Sequence, residues 1–384
     1  MLEAMPTWDF LRGFMNQSRK ATTEGTSNYK NRFTGGVAEG HFRQSQGLWM
    51  SSIGLGSYLG GADERTDEAY RIAVKRAIEL GCNVFDTAAN YRCQRSERSI
   101  GDALAGLSGT ARDEIVVSTK GGYIPFDAAP PRSRQEMVAY VEETFIKPGV
   151  CKWEDFVQSS HCMTPAYIAH QLDQSLRNLR LECVDVYYIH NPESQFAEVS
   201  REEFYRRLRG AFEFLETAVL DGKISIYGTA TWNGYRAPSD SPEALSLERV
   251  VETARDVAGD GHHFKVVQLP FNLAMAEAFI DVNQTLAGEK VTFLEAAARL
   301  GVTVMSSASI LQARLSSGLP PIVGASLRGL RTDAQRAIQF TRSTPGIDVA
   351  LVGMSDVAHV EENLELAKIP PATAEEYLGL FDAR

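Results

Sequence analysis

The stretch Val184-Asp-Val-Tyr-Tyr-Ile-His190 is a short apolar run that ends on a polar residue. An amphipathic segment precedes it at residues 164–179, and its first residues, Thr164 and Pro165, are typical of a helix N-cap and first helical position. A near-continuous apolar strand next to an amphipathic helix predicts a parallel strand that is covered by helices. The fold of the chain therefore depends on how often this unit recurs.

Apolar runs of the same kind recur along the chain and alternate with helical periodicity. The eight runs are residues 52–55, 83–85, 115–118, 184–189, 224–227, 266–269, 302–305 and 349–352. The amphipathic segments are residues 66–80, 95–105, 164–179, 202–220, 247–258, 293–300, 332–341 and 360–368. Such units predict an α/β fold, either a closed (β/α)8 TIM barrel or a doubly wound open sheet. The count of eight favours the barrel.

Two segments lie outside this repeat, and a third leads into its first strand. Residues 42–55 are broken at Gln46-Gly47, which predicts an N-terminal hairpin leading into strand 1. Residues 121–163 form a long loop insertion after strand 3, rich in prolines and aromatic residues, and we expect it to cover a barrel mouth. Residues 1–40 lack periodicity and are expected to form an extended or mobile N-terminal arm, so that the barrel domain spans residues 41–384.

Composition and charge exclude several classes of protein. With 384 residues, 44% of them hydrophobic and 23% charged, the chain can bury a large core. A net charge of -10 and a pI near 5.3 argue against a nucleic-acid partner, which needs clustered cations. No apolar run approaches the roughly 18 residues of a membrane helix, and the five cysteines show neither disulfide nor zinc spacing. We therefore expect a cytoplasmic protein with no metal, membrane or nucleic-acid partner, and its oligomeric state stays open.

Polar residues stand where three neighbouring strands are predicted to end. Asp86 follows the second run, Lys120 the third and His190 the fourth, with Tyr91 just beyond Asp86. In a (β/α)8 barrel the carboxyl ends of the strands form the face that carries the chemistry. The four side chains are therefore expected to converge there.

This set of side chains suits the transfer of a proton to a carbonyl oxygen. A tyrosine can donate that proton, but its ordinary pKa lies near 10. A lysine ammonium about 4 Å away is worth on the order of 4 kcal/mol at an effective dielectric near 20, so we expect Lys120 to lower the Tyr91 pKa by roughly three units. Asp86 would hold Lys120 in its charged form, and His190 would orient the carbonyl by a hydrogen bond.

The motifs around these residues resemble those of the aldo-keto reductases, over residues 42–370 and in the order of that family. The segments are Ser52-Ile-Gly-Leu-Gly-Ser57, Asp86-Thr-Ala-Ala-Asn-Tyr91, Ser96-Glu-Arg-Ser-Ile-Gly101, residues 176–190 and Glu362-Asn363. The resemblance implies Tyr91 as the general acid/base, Asp86 and Lys120 as the groups that tune it, and His190 as the group that binds the substrate oxygen. It also implies an NAD(P)H cofactor.

The same resemblance implies a set of cofactor-binding positions. They are Ser57, Asp86, Ala230, Thr231, Gln268, Ser307, Leu311, Gln312, Gly353, Met354, Ser355, His359, Glu362 and Asn363. Ala230 and Thr231 replace the Ser and Asn that usually contact the carboxamide, and Ser307 replaces a tyrosine that commonly stacks on the nicotinamide. Apart from His359, basic residues for a 2'-phosphate are missing, and Asp356 nearby would repel one. The family default favours NADPH and the local charge favours NADH, so the choice stays open.

The sequence thus predicts an oxidoreductase that moves a hydride between nicotinamide and a small-molecule carbonyl or alcohol. The substrate class is an aldehyde, a ketone or a sugar-like compound, and the insertion 121–163 motivates the last of these. Trp153 and Trp232 are candidates for the substrate pocket. A second hypothesis is a nucleotide-binding barrel that acts as a regulatory or scaffold subunit without turnover, which the missing stacking tyrosine favours.

Overall fold

A computed structural model describes residues 19–381 of the chain. Within this range the strands are β1 (Phe42–Ser45), β2 (Leu48–Ser51), β3 (Ile53–Gly56), β4 (Val84–Asp86), β5 (Val116–Gly121), β6 (Val184–His190), β7 (Ile224–Ala230), β8 (Phe264–Pro270), β9 (Gln284–Leu286), β10 (Glu289–Val291), β11 (Thr303–Ser307) and β12 (Val349–Gly353). Strands β3 to β8, β11 and β12 pair in that order as a parallel sheet, and β12 pairs with β3. The predicted (β/α)8 barrel is confirmed, because this closure excludes an open sheet.

Helices cover the outside of this barrel. In the described residues they are α1 (Thr23–Arg32), α2 (Glu64–Glu79), α3 (Arg95–Ala105), α4 (Arg134–Val141), α5 (Pro165–Leu179), α6 (Arg201–Leu220), α7 (Leu247–Ala258), α8 (Glu277–Ile280), α9 (Phe293–Arg299), α10 (Pro321–Ser326), α11 (Asp333–Ser343), α12 (Val357–Leu364) and α13 (Ala374–Leu378). Thr164 is the N-cap of α5 and Pro165 its first residue, as predicted. Each predicted amphipathic segment is helical within a few residues of its expected bounds.

The barrel interior is a packed core. Val84, Val116, Val186 and Val266, on β4, β5, β6 and β8, pack in one buried cluster. Met50, from the hairpin that β1 and β2 form, belongs to the same cluster. This hairpin is the predicted N-terminal one, and it packs against the end of the barrel where the strands begin. The opposite end, where the strands finish, is left for a site.

The segment expected to be an extended arm contains a helix. Residues 1–18 lie outside the described residues, but residues 23–32 form α1, with the Thr22 side chain accepting a hydrogen bond from Gly25 N. Tyr29 is buried, and its hydroxyl donates to the carbonyls of Ile78 and Cys82 at 2.6 and 3.0 Å. The N-cap stabilises the helix, and the buried Tyr29 holds it against residues 78–82. The expectation of an extended arm is therefore wrong for residues 23–32. The domain boundary at residue 40 stays a prediction.

The insertion at residues 121–163 packs mainly against α5. It contains α4, a π-helical turn (Glu142–Ile146) and a short 3-10 segment (Trp153–Asp155). Phe145 is buried and its ring lies 5.1 Å from that of Tyr167 on α5. The aromatic residues that suggested a cover for the barrel mouth therefore fill a core between the insertion and α5.

The structure bears on two further expectations, which concern the cysteines and membrane-spanning helices. The five cysteines are free thiols, four of them buried. Among residues 19–381, none of the helices combines the length and the apolar character that crossing a bilayer requires. The expected cytoplasmic location stays a prediction.

Candidate active site

A cavity of about 430 Å³ opens at the carboxyl ends of the barrel strands. Its volume lies within the range of small-molecule sites. Ten of the predicted site residues border it: Ser57, Asp86, Tyr91, His190, Ala230, Thr231, Gln268, Ser307, Gln312 and Gly353. They lie near the ends of β3, β4, β6, β7, β8, β11 and β12 or in the loops directly behind them, so one face of the barrel gathers residues that are far apart in the sequence.

Asp86 and Lys120 form a buried ion pair where β4 and β5 end. Lys120 Nζ donates to Asp86 Oδ2 at 2.6 Å and to the Thr87 carbonyl at 2.8 Å. Asp86 Oδ1 accepts from Ser118 Oγ at 2.7 Å and from Gln268 Nε2 at 2.8 Å. The pair is neutral as a unit and hydrogen bonds hold both partners, which is the condition under which buried charges are tolerated.

Tyr91 lies next to this pair, in the loop behind β4. The centre of its ring is 4.9 Å from Lys120 Nζ and 5.8 Å from the ring centre of His190. Burial raises the pKa of Tyr91 well above its ordinary value of 10.0, and the charge of Asp86 raises it further. The predicted lowering by Lys120 is wrong, because Asp86 already balances that ammonium at 2.6 Å and burial then decides the direction.

His190 ends β6 beside Tyr91, and its imidazole is neutral. Burial lowers the pKa of His190 well below 6.5, and repulsion from Lys120 and His161 adds to this. His161 Nε2 donates to the His190 carbonyl at 2.7 Å, while Gln195 Nε2 lies 2.8 Å from His161 Nδ1. These bonds fix the strand end, and the Nδ1 atom of His190 has no hydrogen-bond partner within residues 19–381.

A protonated phenol and a neutral imidazole therefore border one cavity above a buried ammonium. A carbonyl oxygen between them can accept a hydrogen bond from the imidazole and a proton from Tyr91. The phenolate left behind would lie close to Lys120, whose charge favours it. The geometry thus suits proton transfer to and from an oxygen atom.

Part of the cavity wall suits an amide-bearing ligand. Thr231 Oγ1 is buried, and none of the described residues offers it a hydrogen bond. An orphaned hydroxyl of this kind is a group that a ligand can satisfy. Gln268 already uses its Nε2 on Asp86, so the predicted contact of Gln268 with a carboxamide would run through its Oε1.

The loop behind β11 has an unusual backbone. Ala308, Leu311, Gln312 and Ala313 have φ values of 54, 46, 51 and 68°. Non-glycine residues seldom adopt this left-handed conformation, and runs of it are typical of segments that contact ligands. Gln312 borders the cavity, as predicted for a residue that wraps a cofactor.

The other predicted cofactor positions lie beyond the cavity, in the loop behind β11 and around α12: Leu311, Met354, Ser355, His359, Glu362 and Asn363. Glu362 Oε1 accepts from Thr332 Oγ1 at 2.6 Å, and Asn363 Oδ1 is buried without a partner among the described residues. Asp356 accepts from Ala358 N at 2.8 Å and caps α12. A carboxylate therefore occupies the helix N-terminus that could otherwise bind an anionic group.

Sequence reasoning missed several residues that border the cavity: Tyr58, Asn90, Tyr123 and Asn191. Each one lies within a few residues of a barrel strand's carboxyl end. A prediction that every loop behind such an end lines the cavity would therefore have identified them. Of the two candidate tryptophans, Trp232 borders the cavity. Trp153 instead donates its indole N–H to Glu142 Oε1 at 2.5 Å within the insertion.

Metal ligation has no support in the part of the chain that the structure describes. Residues 19–381 hold no group of three or more His, Cys, Asp or Glu side chains with the geometry of a metal site. His161 is hydrogen-bonded to His190 and Gln195, and His263 Nδ1 lies 2.7 Å from Glu216 Oε2. These histidines therefore have protein partners.

A closed (β/α)8 barrel with a cavity at the carboxyl ends of its strands is the architecture of many enzymes. The sequence of this barrel matches a protein-family model over part of its length. Residues 52–237 match the model of the Aldo/keto reductase family, so an aldo/keto reductase domain covers this part of the chain. This match supports an oxidoreductase.

A curated relative spans nearly the whole chain. It is a Schizosaccharomyces pombe protein, provisionally named as a voltage-gated potassium channel subunit beta. The two are 25% identical over 359 residues, which cover 89% of this chain and 91% of the relative.

Solved structures of similar proteins share the fold. An aldo/keto reductase from Klebsiella pneumoniae, solved in complex with NADP and acetate, is 21% identical, with a TM-score of 0.61 and coverage of 90% of this chain and 95% of that one. A glycerol dehydrogenase from Gluconobacter oxydans is 18% identical, with the same TM-score and the same coverages. At these identities the likeness concerns the barrel architecture.

Proposed function

We propose that this protein is an NAD(P)H-dependent oxidoreductase that interconverts a carbonyl and an alcohol, with Tyr91 as the general acid/base. The observation that carries the proposal is the buried pair of Lys120 and Asp86 beside Tyr91, below a cavity that Asp86, Tyr91 and His190 border. A buried ion pair costs desolvation free energy and is weak evidence for stability alone. Its place beside a proton donor supports a chemical role.

In the reducing direction a bound nicotinamide would supply the hydride that reaches the carbonyl carbon. His190 would hold the carbonyl oxygen by a hydrogen bond, and Tyr91 would donate its phenolic proton to that oxygen. The raised pKa of Tyr91 keeps the phenol protonated before the transfer. Lys120, with Nζ 4.9 Å from the ring centre, would stabilise the phenolate afterwards.

The residues of this chain fit a nicotinamide nucleotide on one side of the cavity. Thr231 Oγ1 and Gln268 Oε1 would hold the carboxamide, and the loop that contains Gln312 would cover the diphosphate. Asp356 at the start of α12 supports NADH, whereas the Klebsiella pneumoniae structure contains NADP. Titrating the protein separately with NADH and NADPH decides between them, and a strong preference for NADPH would contradict the influence assigned to Asp356.

Turnover tests the proposed chemistry. Purified protein is mixed with NADH or NADPH and a panel of aldehydes, ketones and oxidised sugars, and the absorbance of the reduced cofactor is followed. We expect Tyr91→Phe to lower kcat by about 10²- to 10⁴-fold, because the general acid is lost. The dissociation constant of the cofactor should stay unchanged. Tyr205→Phe is the matched control, since Tyr205 is also half-buried but lies on α6, away from the cavity. Undiminished turnover by Tyr91→Phe contradicts the mechanism.

A second candidate is a nucleotide-binding barrel that serves as a regulatory subunit. The provisional name of the Schizosaccharomyces pombe relative favours it, as does Ser307, which cannot stack on a nicotinamide as a tyrosine would. Tight binding of a nicotinamide nucleotide without turnover of any substrate in the panel would support this candidate. Turnover that depends on Tyr91 would contradict this candidate, because a purely regulatory subunit has no catalytic activity.

A further inference from the structure

A second cavity, of about 450 Å³, adjoins the first. Tyr123, Asn191 and Trp232 border both cavities. The Tyr123 hydroxyl lies 2.9 Å from Ser194 Oγ, and Asn191 Nδ2 donates to the Tyr123 hydroxyl at 3.3 Å. The two cavities are therefore neighbours that share these side chains, and a ligand that spans both would lie over them.

The lining of the second cavity combines flat apolar rings with hydrogen-bonding groups. Trp232 and Phe196 supply the rings, Asn233 supplies an amide, and Glu193 and Glu243 supply carboxylates. Lysine, arginine and histidine are absent from its lining in the described part of the chain. Such a surface suits a ligand with hydroxyl groups and without negative charge.

Glu193 presents an unused acceptor at this cavity. Its Oε1 accepts hydrogen bonds from the backbone N–H groups of Trp232, Asn233 and Gly234 at 2.7, 3.1 and 3.3 Å. The residue is 7% exposed, and its Oε2 is buried without a partner among residues 19–381. A buried carboxylate oxygen without a donor is costly, and a ligand hydroxyl can remove that cost.

Trp232 is an exposed ring on a fixed backbone. Its side chain is 41% exposed, although tryptophan is usually well buried. Its backbone N–H donates to Glu193 Oε1, and its backbone carbonyl accepts a hydrogen bond from Arg236 Nε at 3.0 Å. The backbone that carries the ring is thus held in place, and the exposed ring offers a surface on which the C–H face of a cyclic ligand can pack.

We propose that the second cavity is a subsite for a hydroxyl-rich ring without negative charge, such as the glycosyl part of a sugar derivative whose carbonyl lies at Tyr91. The ring would pack on Trp232, and its hydroxyls would donate to Glu193 Oε2 and exchange hydrogen bonds with Asn233 and Ser194. This assignment rests on the proposed function for the identity of the reacting group, but the ring-binding subsite exists independently of turnover.

Binding of a simple glycoside, measured without cofactor, tests the subsite. The probes are methyl β-D-glucopyranoside and methyl β-D-glucuronide, titrated by calorimetry into the native protein and into Tyr91→Phe. We expect the glucoside to bind both proteins equally and the glucuronide to bind about tenfold more weakly, because carboxylates line the cavity. Trp232→Ala should weaken glucoside binding about tenfold, whereas Trp232→Phe should restore most of it. Ile280→Ala is the control, because Ile280 is 51% exposed and borders neither cavity.

Glu193→Gln separates ligand recognition from damage to the loop. Glutamine keeps one oxygen for the three backbone N–H groups and replaces the unpartnered Oε2 by an amide nitrogen. Glucoside binding should fall while glucuronide binding rises, a reversal that loss of structure would not produce. Glucoside binding that is undetectable in the native protein, or unchanged by Trp232→Ala, would overturn the subsite. Reduction of simple aldehydes could still proceed in that case, so the proposed function would fail only by its own test.

Discussion

At the scale of single residues, the pairing of Lys120 with Asp86 changes how the site works. A lone ammonium would pull the pKa of Tyr91 down, but the bound carboxylate cancels most of that field at 2.6 Å. Burial then raises the pKa of Tyr91, lowers that of Lys120 and lowers that of His190. The site therefore rests with a protonated phenol beside a balanced pair, which is the state that the proposed proton donation requires.

The same pair makes a prediction about stability. Lys120→Met should lower the free energy of unfolding by about 3–5 kcal/mol, because it leaves a buried Asp86 carboxylate without its cation. Urea denaturation followed by circular dichroism measures this. Lys147→Met is the matched control: its partner Glu143 is exposed, so the loss should stay below about 1 kcal/mol. Equal losses in the two variants would contradict the importance assigned to the buried pair.

At the scale of elements, β7 and β8 meet unusually closely just before the site. A Cβ on Gly228 would lie 1.7 Å from the Val266 carbonyl oxygen, and the register between these strands shifts at Tyr227 and Gly228. No side chain fits there without moving a strand. Because β7 ends at Ala230 and leads into Thr231, this contact sets the position of one wall of the cavity.

Gly228→Ala should therefore destabilise the barrel by more than about 3 kcal/mol, since the clash is with backbone rather than with a flexible side chain. Thermal unfolding followed by circular dichroism would report the loss. Gly261→Ala provides the comparison, because a Cβ there meets nothing within 4 Å and should change stability by less than about 1 kcal/mol. If both variants melted alike, the close approach of β7 and β8 would not matter to the fold.

The elements differ in how well the sequence predicts them. Each barrel strand is an apolar run because both of its faces are buried, so all eight were predictable, and Asp86 and His190 were found by reading where the runs end. Helix α1 was missed because Tyr29 is its only large apolar side chain, and its docking depends on carbonyls of residues far along the chain. The second cavity was missed because three separate segments, behind β5, β6 and β7, form it, and spacing along one chain does not show which loops meet.

At the scale of the whole molecule, buried histidines link the fold to pH. His41 and His161 are fully buried, and burial lowers the pKa of each from 6.5 to about 4. The folded state therefore holds both rings neutral at pH values where the unfolded chain would protonate them. Their contribution to stability is complete above about pH 6.5 and is lost as the pH falls towards 4.

We expect the free energy of unfolding to fall between pH 6.5 and pH 4, by an amount on the order of 3 kcal/mol for each of these histidines. Urea denaturation at pH 7.5, 5.5 and 4.5 measures the slope. His161→Gln should make the dependence shallower, whereas substitution of the exposed His359 by Gln should leave it unchanged. Stability that is constant over this range would show that these rings do not stay neutral in the fold.

The carboxylate of Glu193 binds three successive backbone N–H groups, not the side chains of the loop. These three bonds are therefore kept whichever residue stands at position 232, whereas the Asn233 side chain also bonds Glu243 and Arg236 within the loop. If the proposed subsite is right, selection, natural or in the laboratory, can exchange the side chain at position 232 and change which molecules are accepted while the barrel stays as it is. This gives the protein a place where new substrate preferences can evolve at low cost to folding.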